Sequence, residues 1–190
     1  NKLSEEDPDF STETGNAYGV DFSVSRQTQK MLIWATYSLG FVNRDDGQQV
    51  YPTHFERRHN INLLLSYTLG RSWEVGFRWN YGSGFPFTLT QGFYGQYDLL
   101  NGIDSDVLTD NPDLGIIYSE KRNSGHLPDY NRVDMSLKKT IEFNKNLKLE
   151  LLASVTNVTD RSNIFYFDRV SYTRVDQLPI IPSLTATVDF

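Results

Sequence analysis

Seven stretches of this chain alternate apolar and polar residues with a period of two, and each apolar set is free of charge. Period two is the signature of a β-strand with two chemically different faces. Tyr18, Val20, Phe22 and Val24 form the first apolar face, and Met31, Ile33, Ala35, Tyr37, Leu39 and Phe41 the second. The third is Ile61, Leu63, Leu65, Tyr67 and Leu69; the fourth, the cleanest, is Trp73, Val75, Phe77, Trp79 and Tyr81. Val133, Met135 and Leu137 follow, then Leu147, Leu149, Leu151, Ala153 and Val155, and finally Leu184, Ala186, Val188 and Phe190. The opposite faces carry Asp21, Glu74, Arg78, Arg132, Asp134, Lys138, Lys148, Glu150 and Asp189, with Leu32 and Trp34 as apolar intruders. Such a chain builds one apolar wall and one wet wall.

Alternation alone fits a soluble sandwich as well as a membrane barrel, because both set an apolar face against a polar one. The connections separate the two. Gln27 to Lys30, Gly70 to Ser72 and Glu142 to Asn146 are tight turns, whereas Asn43 to Arg58, Gly82 to Asp129 and Thr159 to Pro182 are long. Tight turns alternating strictly with long loops is the pattern of bacterial outer-membrane barrels, with turns in the periplasm and loops outside. The expected strands, at about 9 to 12 residues, suffice to cross a bilayer at a tilt. Aromatics gather at the strand ends, Tyr67, Trp73 and Phe190 toward the turns and Tyr18, Phe41, Trp79 and Tyr81 toward the loops. Rings with a polar handle favour the headgroup level.

Composition agrees. The 190 residues include 11 Tyr, 12 Phe and 3 Trp but no cysteine, and carry a formal charge of -6. The aromatic content opposes disorder. A mean hydropathy of -0.47 and the lack of any long apolar run exclude spanning helices. The acidic balance argues against nucleic acid, and the absence of cysteine excludes disulfides, thiolate zinc sites and thiol catalysis. With the last strand ending in the periplasm, the residues before Asn16 fall outside the cell. Seven strands are odd, whereas single-chain bacterial barrels have an even count. Open edges in lipid would leave backbone groups unpaired at several kcal/mol each. Residues 1–190 are therefore expected to be the C-terminal part of a larger outer-membrane β-barrel domain.

At this point the sequence resembles the C-terminal end of a TonB-dependent outer-membrane receptor of the Bacteroidota type. The residues that carry the resemblance are Trp79 to Thr88 (WNYGSGFPFT), Leu127 to Ser136 (LPDYNRVDMS), the strand Leu147 to Asp160 with its ending Asn157-Val158-Thr159-Asp160, and the tail Leu178 to Leu184. The resemblance implies an all-β fold, an antiparallel up-and-down transmembrane barrel of about 22 strands around a plug, of which this chain supplies the last seven. It implies TonB-dependent uptake of a scarce solute, a siderophore, glycan, peptide or vitamin, captured by extracellular loops. The implied partners are outer-membrane lipid, the plug and remaining strands of the same receptor, the TonB complex and the barrel assembly machinery; whether a surface lipoprotein caps the barrel is left open. Leu184, Ala186, Val188 and Phe190 match the terminal assembly signal of such barrels, the plainer alternative being that Phe190 is one more lipid-facing side chain. The rival functions are an unplugged porin-like or structural barrel and a soluble all-β binding module.

The chemistry points to binding rather than catalysis. No nucleophile elbow, metal box or close acid pair is present, so no enzyme activity and no cofactor are expected. His54, His59 and Glu56 could hold a metal, but their spacing fits neither a strand face nor a helix turn, and solvated loop histidines are expected. The acidic segment Asp104 to Asp113 lacks the Gly and distal Glu of an EF-hand and is expected to be a polar loop. The long second loop holds Phe85 and Phe87 and the candidate ligand contacts Phe93, Tyr94, Tyr97, Tyr118, Arg122 and His126. Rings on an extracellular loop can stack on sugars or pack on apolar ligand faces; packing the loop on itself is the alternative. On the wet wall, cross-strand pairs of opposite charge are expected.

Overall fold

A computed structural model of the chain describes residues 12–96, 113–144, 147–171 and 173–190. The described residues form strands and loops without a helix. Seven long strands run antiparallel in one sheet: β1 (Thr14–Gln27), β2 (Met31–Asp45), β4 (His59–Leu69), β5 (Trp73–Gly82), β10 (Tyr130–Asn144), β11 (Leu147–Thr156) and β14 (Ile181–Asp189). These are the seven predicted segments. Their loops hold shorter pieces: β3 (Val50–Pro52), β6 (Pro86–Phe87), β7 (Thr90–Gln96), β8 (Asp113–Tyr118), β9 (Gly125–His126), β12 (Ile164–Asp168) and β13 (Thr173–Asp176). β3 extends the sheet beside the loop end of β2, while β6–β9, β7–β8 and β12–β13 are separate two-stranded ladders.

The register brings like faces together on every strand. One row reads Val24, Ala35, Leu63, Trp79 and Val133 across β1, β2, β4, β5 and β10. Because side chains alternate strictly, that register places every predicted apolar set on one side of the sheet. The adjacent row, Ser23, Thr36, Asn62, Asn80 and Arg132, lies on the other side. It is stitched by hydrogen bonds: Asn62 Nδ2 donates to Thr36 Oγ1 at 3.3 Å and Asn80 Nδ2 to Asn62 Oδ1 at 2.6 Å. The charge pairs behave differently from expectation. Lys138 and Glu74 do meet across strands at 2.7 Å, but Arg132 with Asp134 and Lys148 with Glu150 pair along their own strands. Residues two apart on a strand share a face, so long Arg and Lys side chains reach along it.

Among the described residues no second layer covers the apolar wall. Among the described residues Tyr51, at 7% exposure, and Pro86 are the only buried apolar side chains, whereas Val24 stands at 66% and Leu184 at 78%. A soluble domain of this length buries most of its apolar surface in a core, and large uncovered apolar surfaces mark interfaces with other proteins or membranes. The sheet is open: β1 and β14 lie at its two edges, and every residue of both is exposed.

The aromatic rims are built as rims. Tyr18 stacks on Phe41 at 5.1 Å. Trp79 Nε1 donates to Asn131 Oδ1 at 2.9 Å, and the Tyr81 hydroxyl donates to Asp129 Oδ2 at 2.8 Å, so both rings keep a polar end toward the loops. Toward the turns two cations extend the apolar faces, Arg26 opposite Ile33 and Lys139 opposite Trp73. Gly70, at φ +65° in the β4–β5 turn, adopts the left-handed backbone that glycine tolerates without strain.

Candidate functional site

The three long connections interlock at one end of the sheet. In the first, Asp46 closes a turn by accepting the Gln48 and Gln49 amides, each at 2.9 Å, and those bonds, Gln49 first, hold its carboxyl below the usual range. Glu56 is buried, its Oε1 accepting two bonds from Arg58, whose guanidinium lies 4.8 Å over Phe41. Arg57 lies over the rings of Phe85, at 4.4 Å, and Tyr130, at 5.4 Å, and burial pushes its pKa down. It runs across Gly82, where any side chain would collide with its guanidinium.

The second connection is latched onto the first. Gln49 donates to the Glu120 carbonyl at 3.1 Å and accepts the Arg122 amide at 3.2 Å. Asn123, at φ +51°, donates to the Pro52 carbonyl at 2.7 Å. Arg122 Nη1 reaches the Tyr51 hydroxyl at 3.0 Å, Asp46 at 3.2 Å and Glu13 at 3.3 Å; the Tyr51 bond is the largest cause of its raised pKa. Arg44 joins the same Glu13 at 3.3 Å.

The third connection hangs on Asn157, which is fully buried and sits at φ +54°. Its Nδ2 donates to the carbonyls of Arg161, at 3.0 Å, and Leu178, at 3.1 Å, its Oδ1 accepts the Arg161 amide at 3.2 Å, and its own amide donates to Asp134 at 2.9 Å. Buried Asn163 ties this connection to β10, its Oδ1 accepting the Asn131 amide at 2.9 Å while its Nδ2 donates to the Asn131 carbonyl at 2.9 Å. From the β12–β13 hairpin, Arg169 extends over Tyr118, at 5.2 Å, and Phe87, at 5.9 Å.

The loops thereby enclose an open pocket of about 940 Å³, lined by Gln48, His54, Phe87, Tyr118, Arg122 and Arg169 among others. That volume lies at the upper end for sites that hold small molecules. Among the described residues Arg169 has no carboxylate partner, while Asp45, Asp46, Asp129, Asp160 and Asp168 each accept a backbone amide. Those acids hold the loops in shape. Arg169 rests instead on the Tyr118 and Phe87 rings.

Of the predicted contacts, the structure brings Tyr118 and Arg122 to this pocket. Phe93, on β7, lines a neighbouring space of about 470 Å³ with Phe167 and Arg169, while the Tyr94 ring lies against Gly115 of β8. His126 is exposed on β9 opposite Pro86. Tyr97 and Asp104 to Pro112 lie outside the described residues. His54 is exposed and edge-on to Phe55, as a loop histidine would be. His59 departs from expectation, because it opens β4 and its ring bonds the Tyr37 hydroxyl at 2.9 Å. Leu184 and Val188 stand exposed on the apolar face of β14, and Phe190 follows it fully exposed. Gln49, Tyr51 and Arg169 escaped the sequence; an aromatic and an arginine in loops were visible signals, their convergence was not.

No protein-family model and no curated protein matches the chain. Among solved structures it is similar to the ferripyoverdine receptor of the outer membrane of Pseudomonas aeruginosa, solved bound to ferripyoverdine, with a TM-score of 0.56 and 13% identity. The likeness is one of fold. It covers 92% of this chain and 19% of the receptor, so the chain corresponds to about a fifth of that protein.

Proposed function

We propose that this chain forms part of the wall and outer mouth of an outer-membrane uptake receptor. Its long loops capture a scarce solute, and by resemblance the TonB complex drives its passage past a plug. The observation that carries this is the uncovered apolar wall backed by a hydrogen-bonded polar one. Lipid is the solvent that such a wall suits, and further strands seal the edges of β1 and β14 into a closed barrel of about 22 strands. A soluble all-β module would bury the apolar face in a core.

The wet wall also favours a filled lumen over an open pore. Leu32, Trp34 and Leu64 form an apolar island on it, with Leu32 opposite Ser66 and Trp34 opposite Leu64. Trp34 is 52% exposed, its Nε1 held by Ser23 at 3.3 Å. A water-filled channel gives such a patch no partner, whereas a plug surface does.

The test is uptake by cells that carry the intact receptor, using a siderophore, glycan, peptide and vitamin panel. The solute transported is expected to enter against its gradient, to stop when the inner membrane is de-energised, and to lose about ten-fold or more in apparent affinity on Tyr118→Ala with Arg169→Ala, as aromatic and Arg contacts in a pocket do. Uptake that continues in de-energised cells would assign an unplugged porin instead. Unchanged affinity would move the capture site elsewhere.

A further inference from the structure

At the turn end, charge is divided between the two faces of the sheet. On the wet face the acids Glu74 and Glu150 are paired with Lys138 and Lys148. Glu142 stands opposite Lys148 in β11, and so does Asp189 in β14. On the apolar face the same level carries cations. Arg26 stands opposite Ile33, and Lys139 opposite Trp73 on one side and Leu151 on the other. Lys30 and Arg71 are exposed in the adjoining turns, where the Lys30 carbonyl accepts the Thr68 amide at 2.7 Å. Among the described residues none of these four cations has a carboxylate partner.

Lys139 is held in place by neutral groups alone. Its Nζ lies 2.7 Å from Ser72 Oγ and 4.5 Å above the Trp73 ring, which leaves ammonium protons directed away from the sheet. Arg71 is the residue before Ser72. Two strand positions further from the turn, and on the same face, an apolar groove of about 630 Å³ runs along Val75, Leu137, Ala153 and Leu184. It exists because Ala153 is small between longer neighbours: Leu137 faces it across β10–β11 and Leu184 across β11–β14. Cations at the rim and an acyl-sized groove above them are the two halves of one ligand.

The geometry points to a binding site for an anionic phospholipid of the inner leaflet, its phosphate between Lys139 and Arg71 and one acyl chain in the groove at Ala153. The site rests on the outer-membrane function proposed above, with the tight turns on the periplasmic side. Attraction of a basic residue to an anionic lipid surface is worth about 1 kcal/mol, or about five-fold in binding, per charge. The groove adds length-dependent contact that a free phosphate ion cannot make.

The test uses the intact receptor reconstituted in phosphatidylcholine vesicles, with spin-labelled phosphatidylglycerol and spin-labelled phosphatidylcholine as probes of lipid at the protein surface. Wild type is expected to prefer phosphatidylglycerol. Lys139→Gln and Arg71→Gln should each lower the preference by up to about five-fold. Ala153→Phe, which fills the groove and keeps the charges, should weaken retention of both lipids, since both carry acyl chains, whereas Lys148→Gln on the wet face should change neither retention nor preference. Equal binding of the two lipids by wild type, or a preference untouched by Lys139→Gln and Arg71→Gln, would overturn the site while leaving the barrel standing. Failure of wild type to insert into the vesicles would overturn the barrel, and this site with it.

Discussion

Asn157→Ala is expected to destabilise the folded protein by about 3–5 kcal/mol, a large effect for one polar side chain. Two causes add. Asparagine tolerates φ +54° better than alanine because its short polar side chain bonds the neighbouring backbone, a preference worth up to about 1 kcal/mol. Loss of the amide also removes three part-buried hydrogen bonds, to the carbonyls of Arg161 and Leu178 and from the Arg161 amide, at about 0.5–1.5 kcal/mol each. Asn157→Gly separates the causes, because glycine accepts the backbone angle and removes the amide alone. It should recover about 1 kcal/mol of the loss. Urea unfolding of the detergent-folded protein measures both variants against wild type, and limited proteolysis should show the third connection opening first. A loss below about 1 kcal/mol for Asn157→Ala, no more than a single exposed hydrogen bond is worth, would show that other contacts hold this connection.

The second large effect is a contrast between neighbours. Ala35 lies on the apolar face between Val24 and Leu63, and Thr36 on the wet face between Ser23 and Asn62. Both stand well inside the sheet. An arginine facing lipid near the bilayer midplane costs about 2–4 kcal/mol in a barrel, while lumen positions accept charge. Ala35→Arg should therefore lower stability in lipid vesicles by about that amount, and Thr36→Arg by about 1 kcal/mol or less, the worth of its bond from Asn62. Equal losses at the two positions would mean that lipid does not distinguish the faces.

The strands and their faces could be read from the residues because two unlike environments on the two sides of the sheet write period two into them, and a register slip of one residue would move every apolar side chain to the wet face. The ends ran further than the pattern. β2 continues to Asp45 and β10 to Asn144, since the hydrogen-bond ladder persists where the apolar alternation stops. The short ladders of the loops, β6 with β9 and β12 with β13, left no such mark. They lie among Gly, Pro, Asn and aromatic residues that pack on each other rather than on one wall.

The mouth was legible as residue types and not as geometry. Tyr118 and Arg122 stood out as a ring and a cation in a long loop, yet the pocket also needs Gln48 and Gln49 from the first connection and Arg169 from the third. Contacts between loops far apart in sequence create no local periodicity. Asn157 was visible within the segment Asn157 to Asp160, but its reason, a left-handed backbone angle bridged to two carbonyls, exists only once the chain has folded. The wet-face ion pairs show the same limit: Lys138 finds Glu74 across the strands, while Arg132 and Lys148 each turn along their own strand.

The central claim is that the apolar wall faces lipid. The chain has no cysteine, so single cysteines can be introduced at Asn62, Leu63, Leu64, Leu65 and Ser66 and spin-labelled without competition from native thiols in this region. In bilayers, collision with oxygen, which concentrates in lipid, should peak at Leu63 and Leu65, while collision with a water-soluble nickel complex should be low there and higher at Asn62, Leu64 and Ser66 wherever the lumen admits water. High access to the nickel complex at Leu63 and Leu65, or exclusion of both probes from them as in a packed protein core, would contradict a lipid-facing wall.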